Sequence, residues 1–250
     1  MPPSACDSGR PVAEAAMPRQ EMINAMLSPR TRSLVLFDLR RLQARWSHFR
    51  WGKIQPSCDR LHFGCGTRRV AGWVNVDVAR SDYNVDLASG SLPWRDDVFS
   101  AIVAQQVIEH LDLQKELLPL LRELRRVAKP GAELWLSCPD MEKVCRSYLE
   151  CRGADLLEDR QARWPDFSLH NTPTQHMINV LFHQGGQHKN LFDFDLLRWT
   201  LETAGFCECR RVSEANFLRR FPEFPPRNDD SVSLYVSAVV PQDNHGAVSI

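Results

Sequence analysis

Two glycines and an acid in the first third of the chain have the types and spacing of a nucleoside-binding site. Gly64 and Gly66 follow a short apolar run, and Asp77 ends the next one. Glycine lets a ligand approach the backbone closely, because it has no Cβ and tolerates unusual φ angles. A carboxylate at the end of the second strand can accept strong, charge-assisted hydrogen bonds from both ribose hydroxyls. Residues 60–78 therefore predict the front of a nucleotide-binding α/β unit.

The kind of nucleoside is indicated by two phosphate-binding motifs that the sequence does not contain. A G-x-G-x-x-G motif would need a third glycine at the position of Arg69. The sequence also has no G-x-x-x-x-G-K-[ST] loop. Both facts argue against NAD, FAD and nucleoside triphosphates, so we expect a nucleoside without a phosphate to cradle.

These stretches resemble the class I S-adenosylmethionine-dependent methyltransferases, specifically the type 11 subgroup in which GCG is followed by GW-[IV]-NVD. The matching segments are F-G-C-G-T, N-V-D-V and residues 92–111, LPWRDDVFSAIVAQQVIEHL. The last of these has the family's apolar-proline start, acidic turn, buried strand and V-[LI]-E-H-L end. The chain departs from the wider family at His62, where an acid is usual, and at Arg68, where a third glycine is usual.

The resemblance implies an α/β fold: a Rossmann-like, doubly wound sheet of seven strands with an antiparallel last strand, over residues 58–240. It implies S-adenosylmethionine as the cofactor. In the family's pattern Asp86 takes the exocyclic amine of adenine and Leu87 packs on the ring. Because parallel sheets bind ligands at the carboxyl ends of their strands, Gln105 and Gln106 should border the sulfonium and the acceptor. The predicted cofactor residues are Gly64, Cys65, Gly66, Asp77, Asp86, Leu87 and Gln105.

One histidine is the predicted catalytic residue. The segment around His188 resembles the family's entry to the last helix, where a histidine often faces the methyl group. The helix N-terminus that follows should disfavour an imidazolium and keep the ring neutral as a base. The alternative is a surface histidine before a helix. Glu109 and His110 are weaker candidates, because a structural role at the start of the next helix explains them equally well.

Neither the histidines nor the cysteines predict a metal site. The histidines at 170, 176, 183 and 188 are six, seven and five residues apart, which fits no short ligand motif. The eight cysteines form no C-x-x-C pair. Cys207 and Cys209 would share one face of a strand, where ordinary packing is the simpler interpretation.

The ends of the chain predict attachments to one core domain. Residues 1–19 are rich in proline and small residues and predict a disordered tail, and 241–250 form a second tail. Residues 20–57 predict a basic helical extension. Its apolar stripe either covers the domain while its arginines are solvated, or meets an anionic membrane or a partner's groove as an interfacial helix over 20–51.

Downstream of the matched motif the patterns predict regular elements separated by one long insertion. They are a helix at 118–129 that starts near Pro119, a strand at 132–138, an acceptor-side lid at 139–192 with a helix at 140–151, a helix at 193–205, closing strands at 206–212 and 232–240, and a long loop between those strands.

Composition adds only broad limits. The chain of 250 residues is 43% hydrophobic and 25% charged, with a formal net charge of zero, so nothing global indicates nucleic acid. No apolar run approaches the ~18 residues of a membrane span, and we expect a cytoplasmic protein.

The predicted activity is methyl transfer to a small-molecule or glycan acceptor. The alternative is a binding module that holds the cofactor without catalysis.

Overall fold

The computed structural model describes residues 28–51 and 54–242. The predicted tails at 1–19 and 241–250 lie outside these ranges, apart from residues 241 and 242. Two compact units divide the chain, residues 1–39 and 40–250. In the first unit, residues 29–39 form the beginning of a helix. The second unit holds the rest of that helix and an α/β domain.

The domain is built on one seven-stranded sheet. Its strands are β1 (Arg60–Phe63), β2 (Val74–Asp77), β3 (Tyr83–Asn84), β4 (Phe99–Gln105), β5 (Ala128–Pro139), β6 (Cys207–Val212) and β7 (Ser233–Val239). Their spatial order is β3-β2-β1-β4-β5-β7-β6, with only β7 antiparallel to its neighbours. The predicted Rossmann-like sheet with an antiparallel last strand is therefore confirmed.

Seven α-helices are described in addition to this sheet. They are α1 (Pro29–Trp51), α2 (Leu118–Val127), α3 (Met141–Cys151), α4 (Ala154–Arg163), α5 (His176–His183), α6 (Phe194–Thr203) and α7 (Glu214–Arg220). Pro119 lies in the first turn of α2, as predicted, and Asp193 caps the N-terminus of α6. Helix α2 ends at Val127, two residues earlier than predicted, because Ala128 already pairs with Phe99 as part of β5.

Two parts of the prediction need correction. The insertion after β5 contains two further helices, α4 and α5, beyond the predicted helix α3. The loop between β6 and β7 contains α7, whose N-terminus is closed by a reciprocal pair of hydrogen bonds between Ser213 and Asn216. Phe217 of this helix and Phe221, directly after it, pack with Trp73 in a cluster of aromatic rings.

The part of α1 in the second unit also differs from expectation. Leu42 and Trp46 are 60% and 66% exposed, so these members of the predicted stripe do not cover the core. Arg41 and Arg45 are solvated under the first interpretation of this extension, whereas in the structure both pair with the buried carboxylate of Asp86. A carboxylate removed from water needs such partners, since burying an unpaired charge is costly. Among the described helices, none is long and apolar enough to cross a membrane.

Candidate active site

The glycine turn is hydrogen-bonded directly to the end of β2. The amides of Gly64 and Cys65 both donate to the carbonyl oxygen of Val76, at 2.7 and 3.0 Å. The amide of Gly66 donates to Oδ2 of Asp77 at 2.8 Å. The turn and the predicted ribose acid therefore form one rigid unit at the carboxyl ends of β1 and β2.

Gly64 is required by its surroundings. Its φ is +67°, and a Cβ built on it would lie 2.3 Å from Cγ2 of Val107. Gly66 has a φ of +54°, but a Cβ there would meet no described atom within 4 Å. Close packing therefore explains the first glycine, while an open surface beside the second leaves room for a ligand.

Asp77 keeps capacity to bind a ribose. It is partly exposed, and its oxygens accept from the amides of Gly66 and Val78 at 2.8 and 2.6 Å. A carboxylate offers about four lone-pair sites, so two acceptor positions remain. Cys65 beside it is buried, and burial together with the charge of Asp77 raises the pKa of its thiol to about 11. That thiol stays protonated and acts as packing.

Asp86 lies at the N-cap of the short helical turn Leu87–Ser89. It is 3% exposed, and its Oδ1 accepts from Nε of Arg41 at 3.0 Å and from the amide of Ala88 at 3.2 Å. Nε of Arg45 lies 2.5 Å from Oδ2. Leu87 is partly buried against the main core. Sequence reasoning missed both arginine contacts, because the partners are 41 and 45 residues away along the chain.

The end of β4 brings the acceptor side of the site together. Gln105 is buried at the last position of the strand. Gln106 follows with a φ of +59° and donates from Nε2 to Oγ of Ser233 at 3.0 Å. The chain then makes the turn Ile108–His110, which sets Glu109 and His110 beyond the carboxyl edge of the sheet.

The predicted catalytic histidine meets this turn. His188 lies in the segment before α6, and its ring contacts that of His110 edge to face at 4.9 Å. The carbonyl oxygen of Glu109 accepts hydrogen bonds from the amides of Lys189 and Asn190, at 2.8 and 3.2 Å. The insertion is thus held onto the end of β4, and Glu109, His110 and His188 form one cluster.

The charges of this cluster are set by burial. Glu109 is 1% exposed, and burial raises its pKa to about 8. Burial also lowers the pKa of His110 and of His188 below the usual value for histidine. Neither carboxylate oxygen of Glu109 has a hydrogen-bond partner in the described part of the chain, and the same holds for Nε2 of His188.

The loop that carries α7 closes the other flank of the glycine turn. Arg68, at the position where the wider family has a third glycine, donates to the carbonyl oxygens of Pro225 and Pro226 at 2.8 and 3.2 Å. His62 is buried under the same loop, with its ring 4.9 Å from that of Phe224. The two departures from the family pattern therefore serve to pack this loop.

A family model agrees with the resemblance to methyltransferases over part of the chain. The family model of a methyltransferase domain matches residues 76–136. This match includes Asp77, Asp86, Leu87 and Gln105 of the predicted cofactor site but not the glycine turn, and it supports S-adenosylmethionine as the cofactor. The finer GCG–GWVNVD subgroup stays a prediction. A search of curated proteins finds no match to this chain.

Three solved structures illustrate the distance to known relatives. One is a chain from the complex between the Haloferax volcanii Trm112 methyltransferase activator and a methyltransferase. It is 13% identical, the match covers 82% of this chain and 92% of that chain, and the TM-score is 0.42. Haemonchus contortus phosphoethanolamine N-methyltransferase 2 with S-adenosyl-L-methionine is 13% identical, with coverages of 80% and 52% and a TM-score of 0.42. A Thermotoga maritima S-adenosylmethionine-dependent methyltransferase is 13% identical, with coverages of 89% and 99% and a TM-score of 0.41. At these identities and TM-scores, the acceptors and partners of those proteins are not assigned to this chain.

Proposed function

We propose that this chain transfers the methyl group of S-adenosylmethionine to a small-molecule or glycan acceptor. The observation that carries the proposal is the hydrogen bond from the amide of Gly66 to Oδ2 of Asp77. It joins the glycine turn to Asp77, the acid predicted to bind the ribose, at the carboxyl edge of parallel strands, in a chain whose residues 76–136 match a methyltransferase domain.

Methyl transfer requires little of the protein beyond aligning the methyl group with the nucleophile. The methyl group is bonded to a cationic sulfur, so the nucleophile displaces it in line and the sulfur keeps the electron pair. Holding the two reactants at near-attack distance supplies ~7–11 kcal/mol of the barrier. Asp77 would hold the ribose, Asp86 and Leu87 the adenine, and Gln105 would border the methionine end of the cofactor.

Calorimetric titration with S-adenosylmethionine and S-adenosylhomocysteine tests the binding half of this proposal. Asp77→Ala should weaken binding by about 2–4 kcal/mol, because two hydrogen bonds to a charged group are lost at ~1.5–3 kcal/mol each with partial compensation by water. Asp77→Asn is the matched control, since it keeps the shape and one acceptor oxygen and should lose less. Binding of NADH by the wild type with no heat from either sulfur nucleoside would reject the assignment.

Turnover tests the catalytic half. Formation of S-adenosylhomocysteine in the presence of a cell extract separates an enzyme from the alternative, a module that binds the cofactor without catalysis. His188 is the predicted base for a hydroxyl acceptor. Its Nδ1 lies 2.7 Å from the carbonyl oxygen of Leu181, which leaves Nε2 to face the cluster. His188→Ala should then cut turnover by roughly 10²–10⁴ while cofactor affinity stays unchanged.

A further inference from the structure

Three side chains on the acceptor side of the sheet converge without forming a hydrogen-bonded network. They are Glu109, His110 and His188, and one ligand-type atom of each lies within 4.8 Å of the other two. The first two follow β4, and the third comes from the insertion. The two segments are joined by the hydrogen bonds that the carbonyl oxygen of Glu109 accepts from Lys189 and Asn190. The convergence is therefore fixed by backbone contacts.

Both imidazoles present the same nitrogen to the cluster. Nδ1 of His110 lies 3.2 Å from the carbonyl oxygen of Gln187, and Nδ1 of His188 lies 2.7 Å from that of Leu181. A carbonyl oxygen only accepts, so each Nδ1 carries the proton and each Nε2 presents a lone pair. Histidines that bind metals commonly donate their second ring nitrogen to a backbone carbonyl, which fixes tautomer and orientation.

The carboxylate of Glu109 is the second, independent observation. The residue is 1% exposed, and both of its oxygens are without a hydrogen-bond partner among the described residues. Nε2 of His110 lies 4.0 Å from Oε1, too far for a hydrogen bond. Buried polar oxygens without a hydrogen-bond partner are costly, and metal binding is one way to satisfy them. A cation between the three groups would satisfy all of them.

We propose that Glu109, His110 and His188 bind a divalent transition-metal cation. Two imidazole nitrogens and one carboxylate oxygen favour zinc, iron or cobalt over magnesium and calcium, which prefer oxygen ligands. Three protein ligands also leave a coordination position open for water or for a substrate oxygen, as in catalytic metal sites.

This site would set the acceptor class, and in that respect it rests on the proposed function. A hydroxyl bound at the open position loses its proton to solvent more readily, because the cation stabilises the alkoxide. The alkoxide oxygen then forms the bond to the methyl carbon as the carbon–sulfur bond breaks, and the sulfur keeps the electron pair. On this account Nε2 of His188 is a ligand, and the cation replaces the base predicted from the sequence.

The test is a titration of the full-length protein with Co²⁺, followed by its visible d–d absorption. Wild type should develop a spectrum that saturates at one equivalent, and Zn²⁺ should bleach it. Glu109→Gln and His110→Ala should abolish that spectrum while circular dichroism shows an unchanged fold. His110 is the safer variant for folding, because its side chain is 31% exposed.

Two controls separate this site from other metal-binding groups. His183→Ala removes an exposed histidine from the same insertion, and Cys145→Ser with Cys151→Ser removes two exposed thiols. All of these variants should keep the wild-type spectrum. No spectral change in wild type, or equal Co²⁺ affinity in wild type and Glu109→Gln, would overturn the proposal. Calorimetry with S-adenosylmethionine on metal-free samples reports the cofactor site separately, so failure of one proposal is distinguished from failure of the other.

Discussion

Arg41 donates a hydrogen bond from Nε to Oδ1 of Asp86 across 3.0 Å, which joins α1 to the turn that follows β3. Arg45, one helical turn later, reaches Oδ2 of the same carboxylate. The side chain of Asp86 is 3% exposed, while those of Arg41 and Arg45 are 25% and 51% exposed. The helix therefore supplies the positive charge that lets an acid be buried at the predicted adenine site.

The first prediction follows from that pair. Arg41→Ala should lower the free energy of unfolding by about 1.5–3 kcal/mol, because a buried carboxylate loses a charged hydrogen-bond donor. Arg40→Ala is the matched control: its side chain is exposed on the same helix, and it should change stability by less than about 0.5 kcal/mol. Urea unfolding measures both. Equal losses in the two variants would show that the contact with Asp86 contributes nothing.

The second prediction compares the two glycines of the turn. Gly64→Ala should destabilise the protein by about 2–5 kcal/mol, combining ~1–2 for a left-handed residue and ~1–3 for overpacking against Val107. Gly66→Ala carries only the first cost, since a Cβ at that position would have no described atom within 4 Å. Thermal unfolding without ligand measures the difference.

Removing the obstructing side chain sharpens this test. Val107→Ala combined with Gly64→Ala should recover most of the overpacking cost, because the contacts at 2.3 and 2.9 Å are to the two γ-carbons of Val107. A double variant no more stable than Gly64→Ala would mean that backbone strain, and not packing, explains the glycine.

Much of the sheet was predictable because its strands are rich in apolar residues and carry few polar positions, such as His62 and Asn75, which is typical of buried parallel strands. Residues 61–63, 74–76 and 101–105 are all buried. Helix α7 was missed because Pro222, Pro225 and Pro226 made the whole segment look like a loop. The available signal was the spacing of Phe217 and Phe221, four residues apart, which is typical of one face of a helix.

The candidate site was predictable only where its parts are neighbours in sequence. The glycine turn and Asp77 belong to one β-turn-β unit, so their types and spacing indicated their contact. Glu109 and His188 meet only because the insertion after β5 folds back onto the end of β4, as the hydrogen bond from Lys189 to Glu109 shows. The spacing of the histidines within the insertion does not show that the insertion folds back onto β4. For this reason that spacing predicted no metal site.

The third prediction concerns the pH dependence of stability and uses His62. Burial lowers its pKa to about 4 in the folded protein from a usual value of 6.5, although a hydrogen bond from Nδ1 to Asn75 partly opposes the shift. The folded protein therefore stays neutral at this residue while the unfolded chain takes up a proton. Stability from His62 is fully present above pH 6.5 and is lost as the pH falls toward 4.

The matched variant for this prediction is His62→Gln, which keeps a donor to Asn75 and does not titrate. The loss of unfolding free energy between pH 7 and pH 4 should be smaller in the variant than in wild type by about 3 kcal/mol. Urea unfolding across that range measures it. Parallel pH profiles for the two proteins would mean that His62 protonates equally in the folded and unfolded states.

The fourth prediction concerns the two ends of the N-terminal extension. Deleting residues 1–19 should leave the melting temperature unchanged, because their composition provides little apolar surface to bury. Deleting residues 1–57 should destabilise the protein strongly. That deletion removes Arg41, Arg45 and the hydrogen bond from the amide of Ile54 to the carbonyl oxygen of Pro93, 2.7 Å long.

Comparison with the full-length double variant Arg41→Ala, Arg45→Ala separates the charge effect from the rest of the helix. If the 58–250 fragment is less stable than this variant, residues 1–57 contribute stability beyond these two ion pairs. A soluble 58–250 fragment as stable as the whole chain would contradict the prediction. It would also favour the interfacial interpretation of residues 20–51, in which the exposed Leu42 and Trp46 meet an anionic membrane or a partner. If the full chain but not the fragment then binds vesicles containing phosphatidylserine, the helix meets a membrane. If neither binds, a protein partner is favoured, because the vesicles contain no protein.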